Sequence, residues 1–70
     1  MEPRFFELTS VDDGKRIAIN IHTVSVYYES SDGRRTFVRI KDRKYPIEVN
    51  ELYEEVEKKI SACLGINGHG

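Results

Sequence analysis

Tryptophan is absent from this 70-residue chain, cysteine and methionine occur once each, and proline twice. The lone cysteine, Cys63, cannot close an internal disulfide. That excludes a disulfide-stapled scaffold and fits a reducing, cytoplasmic compartment. No apolar run approaches the roughly 20 residues that span a bilayer as a helix, so no membrane insertion is expected. Met1-Glu2-Pro3-Arg4 carries no apolar signal-peptide core. Neither sign of charge dominates: 11 Lys and Arg stand against 12 Asp and Glu, for a net charge of -1. This balance argues against a wholesale basic nucleic-acid binder, and the supply of Ile, Val, Phe and Tyr argues against a disordered tail.

What is present suffices for one domain. A chain this short buries only about 60% of its unfolded surface, so it needs tight packing, a partner or self-association. Asp12-Asp13-Gly14 and Ser31-Asp32-Gly33 each place a Gly, free to adopt positive φ, between β-rich runs. Each reads as a hairpin turn, and Asp42-Arg43-Lys44 as a weaker break.

Alternation assigns five strands. Arg4 to Val11 turns Phe6 and Leu8 inward, and Lys15 to Asn20 turns Ile17 and Ile19 inward. Thr23 to Glu29 places Val24, Val26 and Tyr28 on one face. The inward positions change from odd to even between these last two runs, so Asn20-Ile21-His22 must hold a bulge or a tight bend. Arg35 to Lys41 turns Thr36, Val38 and Ile40 inward, and Tyr45 to Val49 turns Tyr45, Ile47 and Val49 inward. Pro46 cannot donate to a ladder, so the fifth strand is short or lies at an edge.

The period then lengthens to about 3.6. Asn50 is a suitable N-cap, Glu51, Glu54 and Glu55 favour the positive end of the helix dipole, and Leu52, Val56, Ile60 and Cys63 form an apolar stripe. Gly65 is a natural stop. The expected fold is α+β: a five-stranded antiparallel meander, strongly bent or partly barrel-like, with one C-terminal helix packed on one face. Residues 1–65 form a single domain and 66–70 a flexible tail. The expected core is Phe6, Leu8, Ile17, Ile19, Val24, Val26, Val38, Ile40, Ile47, Leu52, Val56 and Ile60.

Chemistry-bearing residues are sparse. Cys63 could act as a nucleophile with His22 or His69 as base, yet it falls on the apolar stripe, where a thiol packs as a small hydrophobe. One Cys and two distant His residues do not supply a zinc site, and no glycine loop precedes a helix to cradle phosphate. His22 beside Asn20 is expected to satisfy local backbone groups. The reading is non-enzymatic, with no catalytic residue, metal or cofactor.

Charge placement is more informative. Arg34, Arg35, Arg39, Lys41, Arg43 and Lys44 fall within eleven positions broken by one acid, Asp42, whereas Glu48 to Glu57 holds five acids and no base. Alternation points Arg35, Phe37, Arg39 and Lys41 away from the helix, with Tyr27 and Phe5 on the same side. Tyr27, Arg35, Phe37, Arg39, Lys41 and Arg43 thus compose a candidate partner-binding face. It could contact a protein, bury its aromatics in a homodimer, stack single-stranded nucleic acid, or simply be a solvated sheet face with Arg and Lys stems over aromatics.

One family shares this order of features. An apolar-Leu-Thr strand (Phe6-Glu7-Leu8-Thr9) precedes Gly14 and an Ile-x-Ile-Asn strand (Ile17 to Asn20). A Thr-x-Val-x-Ile strand (Thr36 to Ile40), a Lys-Tyr-x-Ile strand (Lys44 to Ile47) and an acidic helix around Tyr53-Glu54-Glu55-Val56 and Lys59-Ile60 follow. Over residues 5–60 the chain resembles the FlbD/SwrD-like small bacterial proteins encoded among flagellar genes, and phage-encoded look-alikes. The resemblance implies a non-enzymatic accessory protein acting through a partner in a flagellar or motility role; a phage-encoded modulator of a host complex fits the same physics. The resemblance carries over no site residues.

Overall fold

Two β-rich hairpins separated by a short turn, then a helix, make up residues 4–65, which the computed structural model describes. In order these are β1 (Phe5–Thr9), β2 (Arg16–Asn20), a 3-10 turn (Ile21–Thr23), β3 (Val24–Glu29), β4 (Thr36–Ile40), β5 (Ile47–Val49) and α1 (Tyr53–Leu64). The expected tail, 66–70, lies outside the described residues, and His69 with it.

The two Gly turns close their hairpins as expected. Gly14 and Gly33 adopt φ of 69° and 71°, where a Cβ would clash with the following carbonyl. The Asp32 carboxylate organises the second turn by accepting bonds from the Ser30 hydroxyl (2.7 Å) and the Arg34 N–H (3.0 Å). At the third turn Asp42 itself takes positive φ, 69°.

The strands form two antiparallel sheets, β1-β2 and β3-β4-β5, instead of one five-stranded meander. β2 and β3 do not pair, because the 3-10 turn redirects the chain between them. The sheets meet at the far side: Ser10 bridges Val49, the Val11 N–H donates to the Glu48 carbonyl (3.0 Å), and the Asn50 N–H to that of Thr9 (2.9 Å). The sheets do not close into a barrel.

Side-chain direction follows the expectation in β1, β2 and β4. Phe6, Leu8, Ile19, Val38, Val49, Val56 and Ile60 are buried, joined by Ile21 from the 3-10 turn, and Ile17, Val24, Ile40, Ile47 and Cys63 pack around them. Among the described residues Thr36 is the one buried polar residue, its hydroxyl donating to the Glu51 carbonyl at 2.7 Å.

Four expected inward residues are exposed. Val26 and Tyr28 face outward at 48% and 43% exposure because of a bulge: Val24 pairs Ile40 but Val26 pairs Arg39, leaving Ser25 as the extra residue. Tyr45 is 73% exposed, since β5 begins only after Pro46. Leu52 is half exposed because the helix starts one residue later, and its extended backbone (φ -69°, ψ 159°) takes it off the helical stripe.

The helix start also differs from the Asn50 N-cap expectation. Asn50 remains tied to Thr9 through its backbone, and the N-cap position falls to Leu52, which offers no side-chain acceptor. Glu51 instead reaches back to β1, accepting the Thr9 N–H and hydroxyl at 2.9 Å each. This clamp fixes α1 over the inner face of the sheets. Gly65 ends the helix at φ 77°, as expected.

Candidate functional site

The bulge at Ser25 decides which side chains share the outward face of β3-β4-β5. After the bulge Tyr27 is the residue of β3 that turns inward. Tyr27 therefore lies across from Val38 and packs its ring against Tyr53 of α1, centroids 5.2 Å apart. It does not belong to the outward face on which parity had placed it. Its partial burial, the Tyr53 phenol and the Glu57 carboxylate all raise its pKa above the ordinary 10.0, in that order of weight.

Tyr28 takes its place. It pairs Phe37 across the strands, the two rings stacked with centroids 5.4 Å apart and an interplanar angle of 23°. Beside them Val26 pairs Arg39. The outward face is thus a patch of Val26, Tyr28 and Phe37 with Arg39 at one end and Arg35 at the other. Arg35 lies 3.6 Å from Glu48 of β5, a half-exposed contact of little energetic weight. Arg39 enters no ion pair among the described residues.

Lys41 and Arg43 sit in the turn after β4, both exposed. The Lys41 N–H donates to the Thr23 carbonyl at 2.8 Å and that of Arg43 to the Ile40 carbonyl at 3.2 Å. Arg43 lines an open cleft of about 390 Å³ that continues from Phe37 past Tyr45 and Pro46 towards Asp12. The structure therefore brings Arg35, Phe37 and Arg39 together, sets Arg43 on a cleft shared with Phe37, leaves Lys41 in the turn after β4, and removes Tyr27. Val26 and Tyr28 are the residues that sequence reasoning missed. The signal was the Val-Tyr-Tyr run at 26–28, in which either parity buries an apolar side chain.

The residues weighed for chemistry are scattered. Cys63 is half buried on α1, and its carbonyl accepts a bond from Arg4 Nη1 at 3.0 Å. His22 is exposed in the 3-10 turn; the Asn20 carboxamide, not the imidazole, satisfies the local backbone by accepting the His22 N–H at 3.0 Å. Among the described residues no three His, Cys, Asp or Glu converge as a metal site, and no helix is long and apolar enough to cross a membrane.

Three acidic residues, Glu54, Glu55 and Glu57, are exposed on α1. The chain matches no known protein family, no characterised protein and no solved structure.

Proposed function

We propose that this protein is a small non-enzymatic interaction module that binds another protein through the outward face of β3-β4-β5. The observation that carries this reading is the Tyr28–Phe37 stack, which stands on the sheet face away from the helix and continues into exposed Val26. Aromatic rings next to arginines are the residue types that anchor protein interfaces. A solvated sheet face tolerates isolated apolar residues. Here three adjoin across two strands, with Arg39 and Arg35 at their margins to meet an acidic rim on the partner. The resemblance to the FlbD/SwrD-like proteins directs the reading to a motility accessory role; a phage-encoded modulator of a host complex would use the same surface.

Site-specific photo-crosslinking tests the reading. A benzophenone side chain at position 28 is expected to give a discrete protein adduct that Arg39→Glu abolishes, while the same probe at position 54 gives none. An adduct of twice the chain mass makes the partner a second copy. No adduct specific to position 28, with the variants folded by circular dichroism, overturns the proposal.

The stacked pair flanked by arginines also supports a second reading, a single-strand nucleic-acid binder. Fluorescence anisotropy with labelled single-stranded oligonucleotides separates the two. Binding in the micromolar range at low salt, falling steeply as salt rises, would favour nucleic acid; its absence leaves the protein partner.

A further inference from the structure

The outward face ends at a strand edge that is itself unpaired. Among the described residues β3 pairs with β4 on one side only. The Ser30 N–H donates to the Arg35 carbonyl at 2.9 Å, which makes Ser30 and Arg35 a hydrogen-bonded pair. Antiparallel ladders alternate bonded and non-bonded pairs, so Tyr28–Phe37 and Val26–Arg39 are bonded, and the N–H and C=O of Tyr27 and Glu29 point to the free edge. Proteins usually blunt such an edge with lysine or proline; β3, Val-Ser-Val-Tyr-Tyr-Glu, has neither, and its one irregularity is the bulge at Ser25.

A segment added to this edge would turn successive side chains to two unlike surroundings. On the helix side lies an open groove of about 460 Å³, walled by Val24 and Tyr27 of β3 and by Tyr53, Ile60 and Leu64 of α1. On the other side lies the outward face, where Val26 and Tyr28 stand next to Arg39 and Phe37 of β4. Val26 also lines the groove, so the two surfaces are continuous around the edge. Arg39 enters no ion pair among the described residues, whereas Arg35 already has Glu48 beside it. The bulge sets the short side chains of Ser25 and Val26 between Arg39 and the free edge. An added strand would lie two strand spacings, roughly 10 Å, from the Arg39 backbone. An arginine and a glutamate side chain close that gap from its two ends.

We propose that the β3 edge binds, as an added strand, an extended segment of another protein that alternates apolar and acidic residues. This rests on the reading of the outward face as a protein-binding surface and names what that surface recognises. Main-chain pairing at Tyr27 and Glu29 holds the segment, the groove beside α1 takes its apolar side chains, and Arg39 meets its carboxylates. A basic occupant would set its charges against Arg39, and like charges across an interface are a rejection device. A second copy joined with both helices on one side would bring only Val26 and Tyr28 to the outward face, and neither carries a carboxylate.

The test is amide hydrogen exchange and NMR titration of the intact 70-residue chain with a capped hexapeptide, (Glu-Val)₃, and its counterpart (Lys-Val)₃. With (Glu-Val)₃, the Tyr27 and Glu29 amides are expected to slow by at least about tenfold, with shifts at Tyr53, Ile60 and Arg39. (Lys-Val)₃ should bind about tenfold more weakly or not at all, and Arg39→Glu should reverse the order. The net charge of -1 offers an acidic peptide no general attraction, so the preference reports the local arginine. Two further peptides, (Glu-Val)₃ N-methylated at its valines or at its glutamates, separate main-chain pairing from side-chain contact. Only one set of amides faces β3, so one methylated peptide should bind and the other should not. No slowing at Tyr27 and Glu29 at millimolar (Glu-Val)₃, or retained binding of both methylated peptides, overturns the proposal. Shifts confined to Tyr28 and Phe37 without slowing overturn it too, yet leave the outward face as a protein-binding surface. Protection of the same amides without peptide, together with a dimer mass by light scattering, overturns it in favour of a second copy.

Discussion

Thr36 and Asp42 show how much one residue can decide in a domain of this size. The Thr36 hydroxyl, fully buried, donates to the carbonyl of Glu51, the residue whose carboxylate clamps β1. Thr36→Val keeps the shape but leaves that carbonyl without its donor, and is expected to destabilise the fold by about 1–3 kcal/mol. A lowered urea midpoint with an unchanged slope would register it. Asp42 bends the other way. It occupies a left-handed conformation that costs an ordinary residue about 1–2 kcal/mol, so Asp42→Gly is expected to raise the urea midpoint modestly, the relieved strain exceeding the added freedom of the unfolded chain. Thr36 was legible in the sequence as an inward β4 position. Its partner was not, because the pairing joins positions 15 residues apart across a helix boundary that parity cannot locate.

Among the elements, β1 and β2 were the most legible and β3 the least. Phe6 and Leu8 alternate strictly with Glu7 and Thr9, so only one parity buries the apolar pair, and they oppose Ile19 and Ile17 as alternation requires. Leu8 is fully buried; Leu8→Ala is expected to cost about 2–5 kcal/mol, a large share of the stability of so small a domain, and thermal melting checks it. In β3 both parities are apolar after Ser25, and the choice fell to tertiary packing: Tyr27 stacks on Tyr53 of α1, which no local pattern could announce. The sequence did mark a change of phase before β3. The structure resolves it in two steps, a 3-10 turn at Ile21–Thr23 and a bulge at Ser25. The helix was legible in its stripe and its Gly65 stop. Its start was not, since the Glu51 carboxylate and the Asn50 backbone are drawn to Thr9.

Over the whole molecule the segregation of charge was open to sequence reading, because the basic and acidic residues occupy separate stretches that fold into separate elements. The basic stretch covers β4 and its flanking turns and the acidic run from Glu51 to Glu57 the entry to α1 and its first turns, with the inner face between them; Glu48 of β5 is the exception, beside Arg35 in the same sheet. Tyr27 stands where these layers meet, beside Tyr53 and within reach of Glu57, and this makes alkaline stability its readout. Its pKa is raised in the folded state, first by burial and then by those two neighbours. Folding therefore favours the protonated phenol. The sign follows: below pH 10.0 the unfolded chain is also protonated there and the contribution is fully present, and it is lost as pH rises through the folded pKa. The urea midpoint is expected to fall above pH 10 in the native chain, and to fall less in Tyr27→Phe, which keeps the ring against Tyr53 but has no proton to lose. An equal fall in both would place the alkaline sensitivity in the other tyrosines or the lysines, and remove Tyr27 from the junction between sheet and helix.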